Sequence, residues 1–440
     1  MKQNVNILIL NGDILTMGAD MRIIKNGGIA IEGNRIVEVD TAEHIRARFS
    51  AAKILDATNH IVMPGFINTH THAAMVYFRG LADDLSLHKW LDEYIWPMEK
   101  KYVRPQFIQN AVELAAAEMI LSGITTFADM YFFEADAAQI CSKIGIRAFL
   151  GQGVFSFKVA DWATAYLSLK YIKETYEKYQ DNELITICVA PHSIYSCSEE
   201  VLVNSKKLAD QLGVPVFIHV SETEKEVKES LDNHHMRPVE YLHHLRFLDK
   251  NVVIAHGVWV NEDEMKLLAS TGTSVSLNVE SNLKLASGVS PVKEYLDNGV
   301  VLSIGTDGAA SNNNLDMLGE MDTLIKSQKI KYNDAAFLSA EDIVRFATID
   351  GAKALGIDDK VGSLEKGKNA DIILISMDRP ENLPLYNYYS HLVYVIGRES
   401  VETVIVNGKI LLEKKEFKTI DIDKVKANAK NFTQELQETK

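Results

Sequence analysis

The 440-residue sequence contains only three cysteines, Cys141, Cys188 and Cys197, and none forms a CxxC pair. A disulfide scaffold and a thiolate zinc finger are therefore not expected, and a reducing compartment suits the chain. No segment approaches the roughly 18 consecutive apolar residues of a membrane span. The opening MKQNVNILIL runs straight into NGDILTMG, without a cationic segment or a small-residue cleavage site. It reads as strand and turn rather than a leader peptide, and a cytoplasmic protein is expected. Cations are in deficit: 46 Lys+Arg against 60 Asp+Glu gives 46 − 60 = −14. Nucleic acid and anionic membrane surfaces are poor partners for such a balance, because both need clustered positive charge. There is no GxGxxG after the first strand of the central unit and no GxxxxGK[ST] anywhere, which weakens a nucleotide-binding fold.

What is present is ordinary globular material, with 47% hydrophobic and 24% charged residues. Residues 1–58 read as β-structure. Val5–Leu10 precedes an Asn11-Gly12-Asp13 turn, and Gly28–Ile31 meets Ile36–Val39 across Gly33-Asn34-Arg35. The C-terminal part repeats the pattern, with Ala370–Ile375, then Val401–Val406, Asn407-Gly408-Lys409 and Ile410–Leu412. Short apolar runs parted by Asn/Gly turns are hairpin grammar. One small β-sandwich domain formed from both termini, 1–58 with 359–440, is the expectation. The last residues suggest a solvated helix.

Residues 59–358 alternate apolar strands with amphipathic helices. Leu184–Ala190 is a strand, and Ser198 caps the helix that follows it. Val201, Leu202, Ser205, Leu208 and Leu212 form that helix's apolar face, and Gly213 stops it. Val214–His219, Val252–His256, Thr273–Leu277 and Val300–Gly305 continue the series. Such repetition gives a parallel sheet, either a closed (β/α)8 TIM barrel or a doubly wound sheet.

The chemistry-bearing residues share one position type. His70 and His72 close an apolar strand, and residues i and i+2 of a strand point to the same side. His219 and His256 each end a strand, and Asp307 follows another. In an α/β barrel all C-terminal strand ends open onto one face, where active sites sit. A lone histidine at such a place commonly makes a local hydrogen bond; five matching residues make coincidence a poor account. Imidazoles plus a carboxylate suit zinc, iron or manganese, and leave room for a water. Glu222, three residues after His219, can shuttle protons beside such a centre, or can be an ordinary glutamate at a helix start, like those in Thr223-Glu224-Lys225-Glu226. His192 also follows a strand and is a possible substrate contact. Leu87, Trp90, Leu91, Tyr94 and Ile95 form a helical stripe, which would make Trp90 a packing residue. His234, His235, His243 and His244 read as surface residues of a helical stretch.

His70-Thr71-His72, His219-Val220-Ser221-Glu222, His256 and Gly305-Thr306-Asp307-Gly308-Ala309-Ala310-Ser311-Asn312-Asn313 together resemble the amidohydrolase superfamily, in its mononuclear aminohydrolase branch of ATZ/TRZ type. Phe78–Leu85 and Ile95–Glu99 look more particularly like the 5′-methylthioadenosine/S-adenosylhomocysteine deaminases. The resemblance implies one divalent metal ion, Zn2+ with Fe2+ or Mn2+ as alternatives, on His70, His72, His219 and Asp307. It implies that Glu222 protonates a purine ring nitrogen, that His256 orients the water, and that Asp307 takes the water's proton. Trp90, Glu99, His192 and Glu222 would contact a small-molecule nucleoside. The implied reaction is hydrolytic deamination of 5′-methylthioadenosine, adenosine, 5′-deoxyadenosine or S-adenosylhomocysteine to the inosine analogue plus ammonia. A homo-oligomer is expected by the same analogy, with Leu385–Tyr389 as a candidate contact.

The sequence departs from the pattern in two places. Gln152 stands where relatives acting on S-adenosylhomocysteine often carry arginine, and 154–182 contains no arginine. Leu277 replaces a residue that is commonly polar and was expected to shape the pocket floor. Uncharged adenosines need no guanidinium anchor, whereas a carboxylate-bearing one does. Guanine, a pterin or an s-triazine are the alternative substrates within the branch. A non-catalytic binding protein would be marked by a lost ligand residue, and none is lost. A two-metal site would need a bridging lysine or glutamate at the fourth strand end, where no lysine is found.

Overall fold

The computed structural model describes residues 2–161 and 163–438. The N-terminal strands are β1 (Gln3–Leu15), β2 (Ile23–Glu32), β3 (Arg35–Thr41), β4 (Phe49–Asp56) and β5 (His60–Pro64). Next come β6 (Phe66–Thr71), β7 (Ile124–Tyr131), β8 (Arg147–Val154), β9 (Ile185–Pro191), β10 (Val216–Val220), β11 (Val252–His256), β12 (Ser274–Leu277) and β13 (Leu302–Ile304). The chain ends with β14 (Ile372–Ser376), β15 (Val401–Val406), β16 (Lys409–Glu413), β17 (Glu416–Phe417) and a helix, Ile422–Glu438.

Strands β6 to β13 lie in sequence order in one eight-stranded parallel sheet. Its edges meet. The Asp307 amide donates to the His70 carbonyl at 3.0 Å, and the Thr69 hydroxyl donates to the Ile304 carbonyl at 3.0 Å. The sheet is thus a (β/α)8 barrel and not doubly wound. Its strands are buried on both faces, so they read as continuous apolar runs rather than alternating ones. Helix ends follow their local chemistry. The Ser198 hydroxyl accepts from the Val201 amide, and Gly213 closes the same helix in the left-handed region.

The remaining strands form one mixed sheet in the order β17-β16-β15-β14-β5-β1-β2-β3, with β4 alongside β1. Strands from both chain ends meet where β5 pairs with β14. The Asn407-Gly408 hairpin between β15 and β16 is as expected, with positive φ at both positions.

Three local expectations differ. Asn11-Gly12-Asp13 is not a hairpin turn: β1 passes straight through it, with a bulge against β2 between Leu10 and Ile14. Gly12 is required there because a Cβ would fall 2.6 Å from Val62 and 2.9 Å from Ala57. The N-terminal segment also holds a helix, Ala42–Arg48, capped by the Thr41 hydroxyl on the His44 amide. The terminal helix is docked rather than solvated. Its Val425 and Phe432 are buried, and the Phe432 ring stacks on Tyr77 with centroids 4.8 Å apart.

Candidate metal centre and substrate cavity

The C-terminal ends of the barrel strands bring six expected residues together. His70 comes from β6 and His72 directly follows it, while His219 comes from β10 and His256 from β11. Asp307 follows β13, and Glu222 lies in the turn after β10. Asp307 Oδ1 stands 3.4 Å from His70 Nε2 and 3.3 Å from His72 Nε2. His72 Nε2 and His219 Nε2 are 3.3 Å apart. His256 Nε2 lies 3.7 Å from Glu222 Oε2.

Outer contacts fix which atom each residue turns inward. His72 Nδ1 donates to the Met130 carbonyl at 2.6 Å, and His219 Nδ1 to the His192 carbonyl at 2.8 Å. His256 Nδ1 donates to the Asn282 side-chain oxygen at 2.8 Å. Asp307 Oδ2 accepts from the Ser281 hydroxyl at 2.6 Å and the Ser311 hydroxyl at 2.9 Å, which leaves Oδ1 for the centre. Such partners set the tautomer and raise ligand basicity. Ser221, His256 and Asp307 all hold positive φ, at 54°, 73° and 57°. Backbone strain of this kind in non-glycine residues gathers at functional sites.

This arrangement fits a divalent cation. With Nδ1–H of both His72 and His219 committed to carbonyls, the two Nε2 atoms 3.3 Å apart need a proton or a metal cation between them, since two neutral rings would set lone pair against lone pair. His70 Nε2 is buried and has no hydrogen-bond partner. Candidate ligand atoms of His70, His72 and His219, and likewise of His70, His256 and Asp307, lie within 4.8 Å of one another.

Titration follows burial and the shared carboxylate. Burial pulls the His70 imidazole down to about 4. It pulls His219 well below its usual range, helped by neighbouring imidazoles. At His72 burial works in the same direction, but the Asp307 carboxylate outweighs it and lifts the group to about 9. Burial alone would raise the Asp307 carboxyl, yet His70 and His72 hold it well below the carboxylate range. Burial raises Glu222, against the pull of His256.

The centre opens into a cavity that continues to the surface, with about 700 Å3 of empty space when open solvent is included. Its walls include Trp90, Trp96, Glu99, Tyr131, Phe132, Phe155, His192, Tyr195 and Leu285, together with His72, His219, Glu222, His256 and Asp307. The mix of apolar wall with a few convergent polar groups suits a small organic ligand. Trp90 is buried in the helical stripe and also walls the cavity, so its two readings are compatible. The buried Glu99 carboxyl is pushed up to about 7 by burial, less the lowering by the Tyr131 hydroxyl. The His192 ring stacks on Phe155 at 4.8 Å.

One expectation about the walls does not hold. Leu277 is buried but is not part of the cavity wall. Gln152 is also outside it. Its side chain accepts from the Glu134 amide at 3.3 Å and donates to Asp161 at 3.0 Å, tying down the segment after β8. Neither lysine nor arginine lines this cavity among the described residues. The aromatic walls Tyr131, Phe132 and Phe155 escaped the sequence reading, because strand-end aromatics look like core. Asn282, Ser281 and Ser311 lie in recognisable motifs, but nothing in the sequence says which ligand each would orient.

Residues 61–411 match the model described as the amidohydrolase family. The chain is 44% identical, over 94% of each chain, to a protein of Thermodesulfovibrio yellowstonii named 5-methylthioadenosine/S-adenosylhomocysteine deaminase. It is 40% identical to a 5'-deoxyadenosine deaminase of Methanosphaera stadtmanae, over 99% of this chain and 100% of the relative. The crystal structure of an adenosine deaminase from Xanthomonas campestris with bound zinc superposes with a TM-score of 0.97 at 34% identity, covering 99% and 100% of the two chains.

Proposed function

Because the chain belongs to the amidohydrolase family, we propose that it is a metal-dependent hydrolase of cyclic C–N bonds that deaminates an adenine nucleoside to the inosine analogue and ammonia. One observation carries this reading. A single cavity is lined by His72, His219 and Asp307 of the centre, by Glu222, and also by Trp90 and Glu99, a chemistry suited to a purine with a ribose attached.

His70, His72, His219 and Asp307 would hold one divalent ion, zinc by the likeness to a zinc-bound neighbour. When bound, such an ion lowers the pKa of a water toward neutrality and supplies a nucleophile. The chain's residues do the rest. Glu222, whose carboxyl is raised by burial against the pull of His256, gives its proton to the purine ring nitrogen N1, which makes the adjacent carbon electrophilic. His256 is held by Asn282 with Nε2 facing inward, and it orients the attacking oxygen. Asp307 accepts the proton lost by the water and returns it to the departing amino group, which leaves as ammonia. Trp90 packs against the base, Glu99 accepts from ribose hydroxyls, and His192 contacts the sugar side.

The test is ammonia release from zinc-loaded protein, with a chelated control. The panel is adenosine, 5′-methylthioadenosine, 5′-deoxyadenosine, S-adenosylhomocysteine, guanine and an s-triazine. Chelator-sensitive turnover of the adenosines is expected. Turnover of guanine or the triazine with silence on every adenosine would replace this substrate class.

We propose residues 59–358 as the catalytic barrel, with 1–58 and 359–440 as its companion domain. We also propose that copies of the chain associate. Tyr386 and Leu383 are strongly exposed, and light scattering that finds only monomer would remove this proposal. Within the same stretch Tyr388 is half-buried and Tyr389 is buried. Tyr388 donates to Asp13 at 2.6 Å.

A further inference from the structure

The first turn of the helix Glu224–His234 carries a carboxylate that the reaction above does not use. Glu226 is 2% exposed. Its Oε1 accepts from the Ser221 amide at 2.9 Å, and its Oε2 accepts from the Glu222 amide, also at 2.9 Å. Both oxygens are thus committed to consecutive main-chain N–H groups, and the second belongs to the residue that delivers the proton.

The clasped peptide is strained. Ser221 sits at φ 54°, in the left-handed region that a non-glycine residue adopts at a cost. Its carbonyl is held from the other side, accepting from the Val258 amide at 3.0 Å and the Trp259 amide at 2.9 Å. Val258 and Trp259 follow His256 closely in the chain. The turn therefore hangs between Glu226 on one side and the segment after β11 on the other. Glu222 leaves this turn to reach the Ser287 hydroxyl at 3.2 Å and His256 Nε2 at 3.7 Å. A shift in the turn moves the carboxyl relative to both.

We infer that Glu226 is a positioning residue of the deaminase. Its bidentate grip on the Ser221 and Glu222 amides fixes the direction from which Glu222 presents its proton. Gln cannot replace it, because one of the two oxygens becomes an NH2 that faces an N–H. Asp keeps two acceptors on a shorter stem and is the conservative rescue. The inference rests on the reaction proposed above, and the wild-type rate tests that reaction separately.

The experiment is a double-mutant cycle in Glu226→Gln, Glu222→Gln and the pair, run on an adenosine that the wild type deaminates. Zinc content and KM are measured for each. E226Q alone is expected to lower kcat roughly 10- to 100-fold, with zinc and KM nearly unchanged, and E226D is expected to recover part of the loss. In the E222Q background, removing Glu226 should cost nothing further, since its effect passes through Glu222. Equal losses in both backgrounds, or loss of zinc, would make Glu226 a structural residue and overturn the inference, as would a full rate in E226Q. Amide exchange at 221–222 reads the same clasp without turnover. It should quicken in E226Q, or in E226D if the glutamine form does not fold, and unchanged exchange also overturns the inference.

Discussion

His72 and Asp307 share a charge that a metal ion must displace. With Asp307 beside it, His72 is lifted to about 9, so near neutral pH this imidazole carries a proton. A ligand imidazole has to be neutral, so zinc binding expels that proton. Affinity is therefore expected to rise with pH up to about 9 and to fall as pH drops. Calorimetry in two buffers of different ionisation enthalpy should find close to one proton released per zinc at pH 7. Pair-wise equality of the two heats would contradict this. Glu222→Gln is the companion variant. Glutamine keeps the shape but has no proton to give, and Glu222 lies outside the proposed ligand set. Zinc content should hold while kcat falls roughly 100- to 10,000-fold; a fully active E222Q would end the proton-delivery role. Strand-end position made the cluster at the proposed centre legible in the sequence, because His70, His72, His219, His256 and Asp307 each stand at the same repeated place. Glu226 was not readable. Beside Glu224 it looks like any acidic residue at a positive helix end, and only the left-handed Ser221 turns it back onto two amides.

At the scale of elements, period and turn residues identified most strands but misjudged continuity. Asn11-Gly12 looks like a turn, since the same dipeptide type makes one at Asn407-Gly408. The difference is what surrounds it: Val62 and Ala57 crowd Gly12, so the chain goes straight on under the bulge. The terminal helix shows the opposite error. Its sequence is mostly polar, and two of its side chains, Val425 and Phe432, are buried, the second set among other rings. Phe432 contacts Tyr77, Phe78, Tyr102 and Phe107, with centroids 4.8 to 6.2 Å away. Deleting such a ring leaves a cavity that polar neighbours cannot fill. Phe432→Ala is expected to cost about 3 kcal/mol of unfolding free energy, measured by denaturant titration of the zinc-loaded protein. A cost below about 1 kcal/mol would mean that the helix adds little to the fold.

At the scale of the whole molecule the chain carries an excess of acidic residues, and among the described residues neither lysine nor arginine lines the cavity. That combination bears on which adenosine the enzyme prefers. A methyl or methylthio group at the 5′ position needs only apolar surface, and Leu87, Phe132, Phe155 and Leu285 provide it. S-adenosylhomocysteine brings a carboxylate. Gln152, at the position where an arginine was sought, is tied to Glu134 and Asp161 and turned away from the cavity. An adjoining cleft shares Trp96 and Glu99 with the cavity and carries Lys100 and Lys158. Lys158 is an exposed ammonium on a flexible stem and gives no bidentate grip, and Glu99 and Asp92 oppose an incoming carboxylate. A charged hydrogen-bonded pair contributes about 1.5–3 kcal/mol when it forms, and each 1.4 kcal/mol is about tenfold in affinity. The kcat/KM for S-adenosylhomocysteine should therefore lie roughly 10- to 100-fold below that for 5′-methylthioadenosine. Competition between the two in one reaction vessel measures the ratio directly. Equal consumption would show that Lys158 reaches the carboxylate after all, and Lys158→Ala would then remove the S-adenosylhomocysteine activity alone.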